Sequence, residues 1–248
     1  MLLENKNAVV YGGGGSMGGA VARAFAREGA NVFLAGRTLA KLDKAAAEIA
    51  AAGGVAETAE VDALDQRAVE NHAAEVAEKA GSIDVSINAI SLTDVQGVPL
   101  VDMTPEDFAR PVTEAARTNF LTATAAARRM TAQGSGVIVM LSSSAARESG
   151  PQMGGFSVAC AAIEAFTRSL AGEVGRRGVR VVALRPNFTP ETHPEVSLSD
   201  VQSLVDGTAL GRLPRLAEVA ESAAFLASDQ AGAMTGAVLN LTCGAIVD

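Results

Sequence analysis

Tyr11-Gly12-Gly13-Gly14-Gly15-Ser16-Met17-Gly18-Gly19 ends the apolar run Ala8–Tyr11 and opens a segment in which Val21, Ala24, Phe25 and Glu28 recur at helical spacing. Strand, glycine turn and helix in that order form a loop for a dinucleotide pyrophosphate. Small residues let backbone N–H groups approach the phosphates, and the helix N-terminus faces them. Four glycines in a row also read as a flexible turn, and it is the position after the first strand that favours the nucleotide reading.

Outward from this loop the chain keeps alternating short apolar runs with amphipathic segments, as a parallel sheet wrapped by helices requires. Gly29 stops the first helix, and Asn31–Ala35 is a second strand. A helix from about Leu39 to Ala52 ends at Gly53-Gly54, and Val55–Val61 alternates weakly. Asp65–Ala80 is an exposed helix closed by Gly81, its His72 carrying no functional claim, and Ile83–Asn88 is the fourth strand. Thr104-Pro105-Glu106-Asp107 carries an N-cap, a first-position proline and an acid, which start a helix. A long alanine-rich helix is expected from about Val112 to Ala132, then a strand at Gly136–Leu141 and a helix at Phe156–Arg176. Val179–Leu184 is a strand, Asn187–Ser199 is irregular, short helices fall near Leu198–Val205 and Leu216–Ala227, and a last strand lies around Val238–Leu241. The expected fold is α/β: a doubly wound, Rossmann-type parallel sheet of seven strands with helices on both faces, in three layers. No linker or repeat divides residues 1–248, so a single domain is expected, with a substrate lid near 187–210.

Composition narrows the partners. Hydrophobic residues make up 48% of the 248, which supports a large core. Net charge is −8 with no cluster of Lys or Arg, against nucleic acid as a main partner. The uncharged stretch Gln230–Val247 is interrupted by Gly232, Gly236, Asn240 and Gly244 and reads as turn and strand, not as a membrane span. Cys160 and Cys243 form no disulfide framework or CxxC, and with the two histidines they stand at no metal-ligand spacing. A cytoplasmic protein acting on a small molecule, with no metal, is expected.

The loop, followed by Gly36-Arg37, Asp62, Asn88-Ala89, Asn119 and Ser143, resembles the short-chain dehydrogenase/reductase family over essentially the whole chain. Against that family's TGxxxGxG opening, Tyr11 replaces the threonine, Gly12 and Gly18 match, and Ser16 takes the middle glycine, as in the enoyl reductase branch. The resemblance implies a cofactor site of Gly12, Ser16, Met17, Gly18, Arg37, Thr38, Asp62, Ala63, Asn88, Ala89, Pro186 and Thr189. Gly36 stands where NAD-preferring relatives carry an acid on the ribose, and Arg37 beside it suits a 2′-phosphate. NADP(H) is therefore expected over NAD(H), the bland alternative for Arg37 being a solvated surface residue. Ile90 replaces the glycine of the family's NAG segment.

The resemblance also implies a proton-transfer set, which this chain has in part. Asn119 stands at the family's helix asparagine and Ser143, in Ser142-Ser143-Ser144, at its serine. Thirteen residues on, where the family carries tyrosine, stands Phe156, and the lysine position four residues later is Cys160. No shift of register restores the motif: Tyr11 is the only tyrosine, and the lysines are Lys6, Lys41, Lys44 and Lys79. Cys160 reads as a small buried helix residue. The stretch Ala161–Gly175 resembles that of dienoyl-CoA reductases, some of which lack tyrosine at this position. Pro186-Asn187 replaces the family's PG turn, and His193 in the expected lid is a possible acid or base, though a lone loop histidine is more often solvated. Arg147, Glu148 and Gln152 are possible substrate contacts or plain surface charges and polar groups. By the resemblance, the alanine-rich helices and the Met234-Thr235-Gly236 and Cys243-Gly244 ending imply a homo-oligomer, a tetramer or dimer, although an apolar alanine face can equally be intrachain core. Expected function is an oxidoreductase on a carbonyl or enoyl substrate; a non-catalytic nucleotide- or metabolite-binding relative, or a non-redox enzyme on the same scaffold, is the alternative.

Overall fold

Seven runs of β-branched and aliphatic residues pair side by side in the computed structural model, which describes every residue except Ser149, Pro151, Leu198, Asp200 and Asp248. They are β1 (Asn7–Tyr11), β2 (Asn31–Gly36), β3 (Val55–Glu60), β4 (Val85–Asn88), β5 (Gly136–Leu141), β6 (Val179–Pro186) and β7 (Val238–Leu241). All pairs are parallel and the order is β3-β2-β1-β4-β5-β6-β7. The order reverses direction between β1 and β4, and a crevice opens beyond the strand ends at such a point.

The helices are α1 (Ser16–Arg27), α2 (Leu39–Ala51), α3 (Gln66–Ala80), α4 (Pro105–Gln133), α5 (Gly154–Val174), α6 (Gln202–Asp206) and α7 (Leu216–Ala227). Alternation along the strands divides the core into two layers. Val10, Leu34, Val139 and Leu184 pack on one face with Val21 and Phe25 of α1 and Val219 and Leu226 of α7. Val9, Phe33, Met140 and Val181 pack on the other with Val69 of α3, Met130 of α4 and Ile163 of α5. Central strands covered on both faces are mostly apolar, whereas the edge strand β3 carries the charged Glu57 and Glu60.

Three sequence expectations change. One helix starts at Pro105, not near Val112: Thr104 caps it by accepting the Asp107 N–H at 3.1 Å, and it continues through Pro111. The sixth strand runs on to Pro186, because Arg185 and Pro186 still pair with Asn240 and Leu241 of β7. His72 is not on an exposed face but buried, 5% exposed, edge-on to the Tyr11 ring at 5.8 Å between centroids. Its Nδ1 has no partner among the described residues, and burial lowers its pKa, so the imidazole is held neutral. Of the short helix expected near Leu198–Val205, Leu198 and Asp200 lie outside the described residues, and the described helix is α6.

Candidate functional site

The glycine loop folds into a turn that side chains would block. Gly12 has φ +80° and its N–H donates to Ala35 O at 2.8 Å, anchoring the loop on β2. A Cβ on Gly12 would meet the Ala89 carbonyl oxygen at 2.6 Å, and one on Gly18 would fall on the Gly12 carbonyl oxygen. No acid sits in the first turn of α1, and Gly15 offers no side-chain cap. The N–H groups of Ser16, Met17 and Gly18 have no acceptor among the described residues, which leaves donors for an anion.

Beside this turn lies a cavity of about 210 Å³ over the ends of β1 to β4. Gly12, Arg37, Thr38, Asp62, Ala63 and Ala89, all expected cofactor residues, line it. One oxygen of Asp62 shapes its own loop, Oδ1 accepting the Leu64 N–H at 3.0 Å. Asn88 shapes the neighbouring turn: its Nδ2 donates to Thr122 Oγ1 at 3.2 Å and its Oδ1 accepts the Ile90 N–H at 3.1 Å. Sequence reasoning missed Lys41, which lines the cavity from the first turn of α2, and Glu114 and Thr118, which line it from α4. Lys41 was legible as the cation one helical turn beyond Arg37. Neither cation has an ion-pair partner among the described residues. Donors at the turn and two cations fit the phosphates of a nicotinamide dinucleotide.

The remaining expected residues sit outside this cavity, on the neighbouring strand ends and helices. Ser143 is half-buried just beyond β5 and caps a 3-10 turn over Ser144–Ala146, its Oγ accepting the Ala145 N–H at 3.4 Å. Asn119 is buried in α4; its Nδ2 donates to Ala115 O at 3.0 Å, and its Oδ1 has no partner among the described residues. Phe156 is half-buried at the start of α5, and Cys160, one turn later, is buried. Gly155 lets this end of α5 press on α4, where a Cβ would fall on the Phe108 carbonyl oxygen. Burial pushes the Cys160 thiol up to about 12, with the Glu164 and Asp94 carboxylates adding to the shift and the Ser143 backbone N–H opposing it. It is a neutral group at physiological pH.

Pro186 ends β6, and Thr189 is buried with Oγ1 donating to Asn187 O at 3.1 Å. His193 stacks on Phe188 at 5.1 Å between ring centroids, with Nδ1 3.3 Å from Glu195 Oε1. Glu191 accepts the Leu216 N–H at 3.2 Å, tying this segment to the start of α7. Gln152, at φ +63°, accepts the Gly97 N–H, which holds the Gly97 loop against the start of α5.

A further set of buried polar contacts went unforeseen. Glu164 of α5 and Arg185 of β6 form a two-bond ion pair, and Ser142 Oγ donates to Glu164 Oε1 at 3.0 Å. Ser144 Oγ donates to Asn187 Oδ1 at 3.2 Å. The signal was available: Glu164 shares its helix stripe with Cys160, Ile163 and Thr167, so a carboxylate there must be buried and partnered. Among the described residues no group of three or more His, Cys, Asp or Glu is placed to hold a metal, and no helix is long and apolar enough to cross a membrane.

A family model described as Enoyl-(Acyl carrier protein) reductase matches residues 13–245. The chain is 31% identical over 246 residues to a 3-oxoacyl-(acyl-carrier-protein) reductase of Chlamydia muridarum, covering 98% of both chains. It is 30% identical over 253 residues to a 3alpha-hydroxysteroid dehydrogenase of Mediterraneibacter gnavus, covering 97% of both. A short-chain type dehydrogenase/reductase from Mycobacterium ulcerans has the same fold, with a TM-score of 0.91, 26% identity, and coverage of 99% of this chain and 91% of that one. Strand order, glycine turn, cleft and full-length similarity agree: the chain belongs to the short-chain dehydrogenase/reductase family of oxidoreductases.

Proposed function

We propose that this protein is a cytoplasmic reductase or dehydrogenase that uses NADP(H) in preference to NAD(H) on a small carbonyl or enoyl substrate, with a proton-transfer site unlike the family's usual one. The observation that carries the reading is the cleft lined by Gly12, Gly14 and Gly15 of the glycine turn together with Arg37 and Lys41, with no acid at Gly36. Ser16, Met17 and Gly18 hold the pyrophosphate, Arg37 and Thr38 the 2′-phosphate, Asp62 and Ala63 the adenine edge. Asn88, Ala89, Pro186 and Thr189 frame the nicotinamide half.

When bound, the cofactor supplies or accepts hydride. The chain's own part is to orient and to manage one proton. Ser143 donates to the substrate oxygen, because among the described residues its hydroxyl hydrogen has no other acceptor. Asn119 Oδ1, buried and unpartnered, holds a water on the proton path. Phe156 gives no proton, and Cys160 is too weak an acid to replace the family's lysine. Loss of a general acid costs ~10²–10⁴-fold in rate, which favours substrates whose carbon is protonated by water, such as enoyl thioesters. His193, half-exposed on the segment near 187–210, is the second proton source. The exposed Phe120 of α4 and Val158 of α5 favour association of two copies through these helices, as a homo-oligomer.

A screen of ketones, aldehydes and enoyl thioesters with NADPH tests the reading. Turnover that falls at least tenfold in Ser143→Ala supports it. Turnover unaffected by that substitution would remove Ser143 from the mechanism, and cofactor binding without any turnover would favour the non-catalytic alternative, toward which the buried, neutral Cys160 already points.

A further inference from the structure

Three consecutive serines leave β5, and of the three only the middle one has no acceptor for its hydroxyl hydrogen among the described residues. Ser142 is buried and its Oγ turns its single hydrogen inward, shared between Glu164 Oε1 at 3.0 Å and the Cys160 carbonyl oxygen at 3.2 Å. Ser144 is buried and its Oγ donates to Asn187 Oδ1 at 3.2 Å. Both acceptors are fixed from β6. Glu164 is gripped by Arg185, Nε to Oε1 at 2.7 Å and an Nη to Oε2 at 2.8 Å. Asn187 is held by its own N–H to Leu241 O at 3.3 Å and by the Phe188 N–H to its Oδ1 at 2.7 Å. Arg185 and Asn187 flank Pro186, so two arms from one strand end reach the two serines that flank Ser143.

We infer that Glu164, Arg185 and Asn187 are positioning residues that, through Ser142 and Ser144, select Ser143 as the one serine able to donate into the site and hold its hydroxyl there. This rests on the reading that Ser143 orients the substrate oxygen. A hydroxyl has one hydrogen; acceptors behind Ser142 and Ser144 direct theirs away from the site. A carboxylate is the suitable shared acceptor, because Oε1 takes bonds from Arg185 and Ser142 at once while Oε2 takes the second bond from Arg185. Misplacement of a reacting group by about 1 Å costs on the order of 10²-fold in rate, so arms at both neighbours act on catalysis without touching the substrate.

The test removes the arms and leaves the ion pair whole. In Ser142→Ala/Ser144→Ala, with NADPH and the best substrate of the screen, kcat should fall at least tenfold while NADPH affinity stays within twofold, and Ser142→Thr should retain the rate. Wild-type kcat in the double variant would overturn the inference. If no substrate turns over even in the wild type, the Ser143 reading fails, and positioning is then read from amide exchange. The N–H groups of Ala145 and Ala146 bond to Ser143 Oγ and Ser143 O, and they should exchange at least tenfold faster in the double variant. Exchange unchanged there would overturn the positioning role on its own.

Discussion

Glu164 and Arg185, 21 residues apart in sequence, close the gap between α5 and β6 with hydrogen bonds of 2.7 and 2.8 Å at side chains only 6% and 3% exposed. Two buried charges are tolerated because each is the other's partner and Ser142 occupies a further carboxylate site. Removing one leaves the other uncompensated in the core. Glu164→Ala should therefore cost about 3–5 kcal/mol in urea denaturation, whereas Glu164→Leu with Arg185→Met should lose little or nothing. A single substitution no more harmful than the double would contradict this account of the pair.

The proposed contact of Arg37 with a 2′-phosphate is open to a direct test. Replacing it with Asp removes a charged partner of the 2′-phosphate and adds a repelling one, so NADPH affinity should drop about tenfold or more while NADH affinity holds or improves. Calorimetric titration of both cofactors against both proteins measures it. Equal loss for NADH and NADPH would mean that Arg37 supports the loop and not the phosphate.

Gly18→Ala tests the turn. The added methyl would collide with the Gly12 carbonyl oxygen, a backbone atom that cannot swing aside. Loss of NADPH binding with about 1–3 kcal/mol of stability is expected, and a variant that binds normally would show that the turn is looser than its geometry.

His72 sets an acid limb of stability. Burial lowers its pKa, so between the unfolded value of roughly 6.5 and the lower folded one the unfolded chain binds the proton first. Its contribution is complete above about pH 6.5 and is lost as pH falls through the folded value. His72→Leu should flatten that part of the stability curve in denaturation at several pH values; an unchanged slope would place the acid sensitivity elsewhere.

Thiol labelling separates the two cysteines. Cys160, 2% exposed and with its thiol pushed up to about 12, should resist iodoacetamide at pH 8 in the folded protein, while the half-buried Cys243 reacts. Fast labelling of Cys160 would show that α5 opens, and would weaken its assignment as an inert core residue.

The sheet was legible because its central strands are buried on both faces and read as short, mainly apolar runs between amphipathic segments. The cleft was legible because Gly12 and Gly18 stand where a side chain would block the turn. His72 was misplaced because α3 has a polar overall composition, and its burial depends on Tyr11, a strand neighbour distant in sequence. The start at Pro105 was signalled by Thr104, yet Pro111 disguised the continuity of α4. Glu164 and Arg185 were overlooked for a similar reason: each is a charge in an apolar pattern, and only the α5–β6 crossover shows that they answer one another. The same crossover joins the serines to Asn187, a pairing that spans 43 residues.

Everything proposed for catalysis depends on the cleft accepting a phosphorylated dinucleotide. Calorimetric titration of the full chain with NADPH, and then with NADH, measures this most directly. Saturable binding of NADPH, at least several-fold tighter than that of NADH, is the predicted result; no binding of either at millimolar concentration would contradict it.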